Sequence, residues 1–433
     1  MHQYIKVSGT PYERGFQYGS QAKERIYKVI EEYKVLFEKE AFITWDKAYE
    51  LSKPYRKEIE KYRPDLVEEM KGIADGAGLD FNTILTLNCR SEIMFAKADI
   101  AEDACTTIGV PPEASENGHT LLAQNWDWWS MGYGTTVLLE VEQKPFAKAI
   151  IITEAGLVGG KGLNDCGIAL SMNAMSVKKG KLGVPLQVLL RGALSCKTIP
   201  KAIDAIAKAN RAGSACVGLA GADGLLLFIE YAPNDLDILL SEGEPCCHSN
   251  HWLSLKMILG PEAKNYSYNS TFIRLDRARR LVKKEDKLSV EKIFEILSDH
   301  AGYPDGVCRH DDETLPIYHR HSSVWSMVID VNEKIIYLTD GTPCKFKPKE
   351  YKLYEKENRT VIGFSKEAEE GEIILMLYLA SRRPHFPVTA KTSFKGWRAE
   401  MKTSLQNTLE DIKSKEDKDS DIPASRRTRR KLH

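Results

Sequence analysis

Cys105-Thr106-Thr107-Ile108-Gly109-Val110, a polar turn from Glu113 to His119, and Thr120-Leu121-Leu122-Ala123-Gln124-Asn125-Trp126-Asp127-Trp128 form the stretch that decides the fold. Two β-prone runs separated by turn formers read as a hairpin. Its return strand carries Asn125, Trp126 and Asp127 back beside the cysteine that opens the first strand. Further strand-like runs follow at Thr136 to Glu142, Ala149 to Thr153, Ile168 to Asn173, Ala215 to Ala220, Leu225 to Tyr231 and Ile238 to Ser241. Helical patterns at Leu186 to Leu194 and Ile199 to Ala209 interrupt them. Helices at Ser270 to Lys283 and Ser289 to Asp299 then precede strands at Ser322 to Asp330 and Lys334 to Thr339. Antiparallel-type strands with paired helices predict helix-covered sheets, an α+β core.

Upstream of the hairpin the pattern is different. Tyr4 to Val7 reads as a strand, and Thr10, Pro11 and Glu13 open a helix running to Glu40 with an N-cap, a first-turn proline and a capping-box acid. Trp45 to Tyr62 and Leu66 to Ala77 read as two more helices. The chain thus divides into a mainly helical segment 1–104, a core 105–350 and a charged extension 351–433. In that extension Lys413 to Asp421 has the composition of a disordered segment, Ile373 to Ala380 is an apolar island suited to a final strand or helix, and the end is an Arg-rich tail.

With Lys+Arg and Asp+Glu both at 61 in 433 residues, no global field recruits nucleic acid or an anionic membrane. The start, MHQYIKVSGTPYERG, has no basic segment followed by an apolar one, and no stretch reaches the roughly 18 apolar residues of a membrane span. A cytoplasmic protein is the default reading, and the C-terminal Arg-Lys-Leu-His is not a peroxisomal Ser-Lys-Leu signal. Nine scattered cysteines argue for reduced thiols rather than a disulfide framework. The sequons at Asn265, Asn269 and Asn358 are then chance occurrences.

Alone, a cysteine followed by two threonines says little, because cysteine is among the most buried residue types. The combination of motifs says more. Gly9-Thr10-Pro11-Tyr12-Glu13-Arg14-Gly15 with Tyr18-Gly19, Cys105-Thr106-Thr107, Gln124-Asn125-Trp126-Asp127-Trp128, His248-Ser249-Asn250-His251 and Cys308-Arg309-His310 resembles the isopenicillin N acyltransferase family of cysteine N-terminal-nucleophile hydrolases. The resemblance spans roughly residues 4 to 345. It implies a four-layer αββα sandwich and a precursor that cuts itself between Ala104 and Cys105, where many relatives carry glycine before the cysteine.

Carried over by motif, the resemblance makes Cys105 the nucleophile and sets Asp127 near the active site. Asn250 becomes an oxyanion contact and Arg309 a polar active-site group, with Thr106 and Asn125 in support. A thiol with an ordinary pKa of about 8.5 needs a base. Cleavage creates one on the same residue, an α-amine with a pKa of about 7.7 to 8.0. An acyl-thioester on Cys105 then passes to water or to an amine, and residue types alone do not choose between hydrolase and transferase. Before cleavage there is no free amine, and the sequence does not identify what activates the thiol.

The expected substrate is a small N-acyl amine or acyl-thioester, with no cofactor, no metal, no nucleic-acid partner and no membrane partner. The two cleaved chains are expected to stay together as a heterodimer. Cys246, Cys247, His248 and His251, with His310, His319 and His321, are rich in zinc-ligand types and lack the spacing of a zinc site. The Gly156-to-Gly162 segment fails the phosphate-loop pattern and reads as a turn. An inactive family member serving as a binding or scaffolding protein is the alternative, which thiol labelling separates from an enzyme.

Overall fold

A computed structural model describes residues 2–95, 104–264 and 269–353. The expectations for the extension beyond Leu353 and for the sequons at Asn265 and Asn358 lie outside them. In chain order the strands are β1 (Gln3–Val7), β2 (Ala104–Val110), β3 (Leu121–Trp129), β4 (Thr136–Val141), β5 (Ala149–Glu154), β6 (Lys161–Asn164) and β7 (Ile168–Ala174). They continue as β8 (Ala215–Gly221), β9 (Leu226–Tyr231), β10 (Leu236–Leu240), β11 (Cys246–His248), β12 (His321–Asp330), β13 (Ile335–Leu338) and β14 (Lys349–Lys352). The helices are α1 (Pro11–Lys39), α2 (Trp45–Ser52), α3 (Tyr55–Tyr62), α4 (Pro64–Ala77), α5 (Phe81–Asn88) and α6 (Arg90–Met94). After the hairpin come α7 (Leu186–Leu194), α8 (Ile199–Ala207), α9 (Leu255–Leu259), α10 (Asn269–Val282) and α11 (Val290–Leu297).

Eight strands form one sheet in the order β1-β4-β5-β6-β7-β8-β9-β10, and six form a second in the order β11-β2-β3-β12-β13-β14. The predicted hairpin, β2 with β3, is at the centre of the second sheet, pairing Cys105 with Trp126 and Thr106 with Asn125. The sheets face each other: the Gln124 amide donates to the Met172 carbonyl of β7 at 2.6 Å, and a Cβ at Gly109 of β2 would lie 2.8 Å from the Leu226 side chain of β9. On the outside of the second sheet, Leu275 and Ala278 of α10 and Ile293 and Leu297 of α11 bury Ile108, Val110, Leu121, Ala123 and Val328. On the outside of the first, α1 packs on β4, α7 on β6 and β7, and α8 on β8. The fold is therefore a four-layer αββα sandwich.

The helix expected over Trp45 to Tyr62 is broken into α2 and α3 at Lys53-Pro54, where proline removes a donor and crowds the preceding turn. From the mainly helical segment, β1 runs parallel to β4 as the edge strand of the larger sheet. The Gly-rich segment does turn at Gly156, but Lys161–Asn164 then joins the sheet as β6. No helix among the described residues is long and apolar enough to cross a membrane.

The Thr10 capping box forms as read, with Thr10 Oγ1 accepting from the Glu13 N–H and Glu13 accepting from the Thr10 N–H. The glycines that follow it allow α1 and α4 to meet backbone to backbone. A Cβ at Gly19 would lie 2.1 Å from the Ile73 carbonyl oxygen, and one at Gly72 would lie 2.1 Å from that of Tyr12. No rotamer change relieves a clash with main chain. Gly19→Ala should therefore cost about 1–3 kcal/mol or more, read as a lowered urea midpoint.

Glu92 of α6 is half-buried with its carboxyl group enclosed; its Oε1 accepts from the Leu186 N–H at 2.7 Å and its Oε2 has no hydrogen-bond partner among the described residues. Burial pushes its pKa up to about 7. A raised carboxyl is most favourable while protonated, so its contribution is intact below about pH 4.5 and lost as pH rises through 7. The full shift corresponds to about 3 kcal/mol. Glu92→Gln should thus gain stability relative to the wild type between pH 6 and about 8.5, and little below pH 5. Chemical denaturation of both proteins across that range checks it.

Candidate active site

The alternation of β2 divides the site residues between two faces. Thr106, Ile108 and Val110 point to the helix layer, with Ile108 and Val110 among the side chains of α10 and α11. Cys105 and Thr107 point to the other sheet, where Cys105 is fully buried in the main core and Thr107 Oγ1 donates to Asn173 Oδ1 of β7 at 2.7 Å. On β3, Trp126 shares the face of Cys105, and Asn125 and Asp127 share that of Thr106.

Cys105 is held by its backbone. Its N–H donates to Asn250 Oδ1 at 2.8 Å, and its carbonyl accepts from Arg274 at 2.6 Å and from Asn173 Nδ2 at 3.2 Å. Arg274, on α10, is fully buried and also donates to Thr106 Oγ1 at 3.1 Å and to Asn250 Oδ1 at 2.9 Å. These donors fix the Asn250 amide with its oxygen toward Cys105. Its nitrogen donates to the Ala174 carbonyl at 3.0 Å. The side-chain group that Asn250 presents to Cys105 is thus an acceptor, whereas the oxyanion contact expected from the sequence calls on its NH2 as a donor.

Asp127, paired with Ala104 in the sheet register, is fully buried on the helix face. Ser323 of β12 donates to its Oδ1 at 2.6 Å, and the same hydroxyl accepts from the Arg309 N–H at 3.0 Å. Ser323 thus joins Asp127 to the loop of Arg309, beside a register shift in β12 of the kind that re-aims side chains near sites. The Arg309 guanidinium pairs with Asp305 at 2.8 Å. Burial pushes the Asp127 carboxyl up to about 6, against the pull of Arg274, the Ser323 hydroxyl and Arg309. Burial likewise lowers Arg274 to about 10, and the nearby Asp127 and Cys105 hold it up.

Asn125 does not line this cluster. Its amide donates to the Leu297 and Val307 carbonyls at 2.9 and 2.7 Å, pinning the end of α11 and the loop leading to Cys308 and Arg309. Sequence reasoning misses Arg274, Asn173 and Ser323. One signal for Arg274 is present: an arginine within the helical pattern over Ser270 to Lys283, on the face that covers the hairpin. The cysteines and histidines around β11 do not converge on a zinc site. His248 is committed to Glu230 at 2.7 Å, and Cys246 and Cys247 point to opposite faces of β11.

The αββα sandwich thus sets a buried cysteine, clamped through its backbone, at the head of an interior strand, and the family this chain belongs to is one of enzymes that act on acyl groups. The chain belongs to the acyl-coenzyme A:6-aminopenicillanic acid acyl-transferase family, whose profile matches residues 114–345, a stretch that begins after Cys105. It is 27% identical over 331 residues to the acyl-coenzyme A:6-aminopenicillanic-acid-acyltransferase 40 kDa form of Emericella nidulans, covering 76% of this chain and 89% of that relative. Among solved structures it aligns with a mutant form of conjugated bile acid hydrolase from Clostridium perfringens at a TM-score of 0.37 and 10% identity, over 58% of this chain and 97% of that one. Penicillin V acylase from Agrobacterium tumefaciens aligns at a TM-score of 0.35 and 14% identity, over 57% and 84%.

Proposed function

We propose that Cys105 is the nucleophile of a self-processing enzyme that cleaves or transfers acyl groups at amide or thioester bonds. The observation that carries this reading is the clamp on Cys105, with its N–H on Asn250 and its carbonyl on Arg274 and Asn173. A residue held on both sides of its Cα has a fixed orientation toward the bond before it, which is the proximity that an intramolecular attack requires. The Cys105 sulfur attacks the Ala104 carbonyl carbon, the C–N bond breaks, and the nitrogen takes a proton to become an α-amine. Water then hydrolyses the resulting thioester, leaving residues 1–104 with a new carboxylate and residues 105–433 with a free thiol.

Asn250 acts on the nitrogen in this scheme. Its oxygen holds the Cys105 N–H at 2.8 Å in the uncut chain, and after cleavage the same oxygen accepts from the α-amine. The amine lone pair is thereby oriented to take the thiol proton, directly or through water. The thiolate attacks an acyl carbonyl, the amine or thiol leaving group departs with a proton, and the acyl-Cys105 thioester passes to water or to an amine. The relative's name supports a small acyl donor for this chain too, as an N-acyl amine or acyl-thioester. The pairing of β1 with β4, and the hydrogen bonds from Tyr33 to Glu154 and from Asn88 to the Gly156 carbonyl, both 3.0 Å, support two cleaved chains that stay together as a heterodimer. No disulfide joins any of the nine cysteines, all of them among the described residues, which fits a reducing compartment such as the cytoplasm.

Incubation with a panel of acyl-CoA thioesters and N-acyl amines, followed by intact mass and peptide mapping, tests the reading. An acyl adduct is expected on the fragment that begins with Cys105, removable by hydroxylamine. Adducts distributed over the other cysteines, or none, would count against it.

A further inference from the structure

Close to the site is a group of side chains that neither the fold nor the acyl chemistry uses. His300 and His310 bring their Nε2 atoms to 3.1 Å, Cys308 Sγ lies 3.4 Å from His310 Nε2, and Cys344 Sγ lies 3.5 Å from the same nitrogen. One ligand atom from each of the four falls within 4.8 Å of every other. Around a tetrahedral ion, metal–nitrogen distances near 2.0–2.1 Å and metal–sulfur distances near 2.3 Å give edges of about 3.3 Å for N···N and about 3.6 Å for N···S. The three separations that meet at His310 Nε2 match those edges within about 0.3 Å, and the other three lie within 4.8 Å.

We infer that His300, Cys308, His310 and Cys344 form a zinc site of Cys2His2 type. Paired thiolates and imidazoles favour zinc over hard cations, and four protein ligands close the coordination sphere, so the ion is structural rather than a Lewis acid for acyl transfer. Binding releases the two thiol protons and leaves a neutral centre. His300 and Cys344 are exposed, which gives an ion access, while Cys308 is buried. The ion staples the loop after α11 to the loop after β13. The ligands sit 34 residues apart between His310 and Cys344, a spacing that no short sequence motif announces. Backbone bonds from Cys308 N–H to the Asp299 carbonyl and from His310 N–H to the Pro304 carbonyl, both 2.9 Å, already fold the first loop into place. Arg309 lies between two of the ligands, so the ion also fixes the segment carrying that guanidinium; this last consequence rests on the proposed role of Arg309.

The full chain should be purified from zinc-supplemented medium, dialysed against a weak chelator and assayed for metal and free thiols. About one zinc per chain is expected, absent from Cys308→Ser/Cys344→Ser and retained in Cys105→Ala. Replacement of the zinc in wild-type protein by Co(II) should give the intense visible bands of tetrahedral cobalt and a thiolate-to-cobalt charge-transfer band. That readout needs no variant, so misfolding of the double serine protein leaves the inference testable. Wild-type protein with reduced thiols that takes up neither metal stoichiometrically overturns it, as does a mapped Cys308–Cys344 disulfide or zinc retained by a folded double variant. Loss of zinc from Cys105→Ala alone would move the metal to the nucleophile and overturn it too.

Discussion

Cys105→Ala is expected to remain a single chain of 433 residues under conditions in which the wild type yields residues 1–104 and a fragment with Cys105 at its N-terminus. Acyl transfer should fall by on the order of 10³ or more, since no other group at the head of β2 forms the thioester. The buried thiol packs in the core, but exchanging it for a methyl group removes a single atom, so stability should change by only about 1 kcal/mol. Intact mass, Edman sequencing and a denaturation curve on the same samples separate chemistry from folding. An alanine variant that still cleaves at this bond, with unchanged kinetics, removes Cys105 from the mechanism. A wild-type chain that stays whole while Cys105 labels no faster than the other cysteines leaves a family member without self-processing.

Much of this site is legible in the sequence because the hairpin is local. Cys105 and Asp127 belong to adjacent strands joined by a polar turn, so turn chemistry suffices to lay the two strands side by side, while alternation sends the two side chains to opposite faces. The helical boundaries of α1, α4 and α7 follow caps and breakers for the same reason. What cannot be read is long-range. Arg274 reaches Cys105 from 169 residues away, Asn173 from 68 and Ser323 reaches Asp127 from 196, and no periodicity announces such contacts. The pleat also sorts residues that sequence proximity groups together. Asn125 and Thr106 look equivalent beside Cys105, yet Asn125 pins two loop carbonyls and Thr106 accepts from Arg274. The His300, Cys308, His310 and Cys344 group escapes a linear reading because its ligands come from two loops that only the packed sheets bring together.

Replacing Arg274 should produce the second large effect, with a distinctive pH signature. Arg274→Met removes charged hydrogen bonds to the Cys105 carbonyl, Thr106 Oγ1 and Asn250 Oδ1. At about 1.5–3 kcal/mol for each bond to a charged donor, loss of one or two slows self-cleavage by on the order of 10 to 10⁴. The sign of the pH effect follows from Asp127, whose carboxyl is pushed up to about 6 by burial while Arg274 pulls it down. The carboxylate is the countercharge for two arginines, so self-cleavage of the wild type should rise as pH increases through about 6. Removing the Arg274 charge takes away the pull, and the same limb should move to higher pH. Arg274→Lys, which keeps the charge but not the planar fork, should leave the limb near its wild-type position while recovering only part of the rate. Turnover by the mature enzyme needs the α-amine uncharged and should carry a second rising limb at about 7.7 to 8.0, which self-cleavage lacks because that amine does not yet exist. Rates measured from pH 5 to 9 for both reactions, in wild type, Arg274→Met, Arg274→Lys and Asp127→Asn, decide the matter: Asp127→Asn should lose the limb near 6 altogether, and a limb that persists unchanged in all four proteins belongs to some other group.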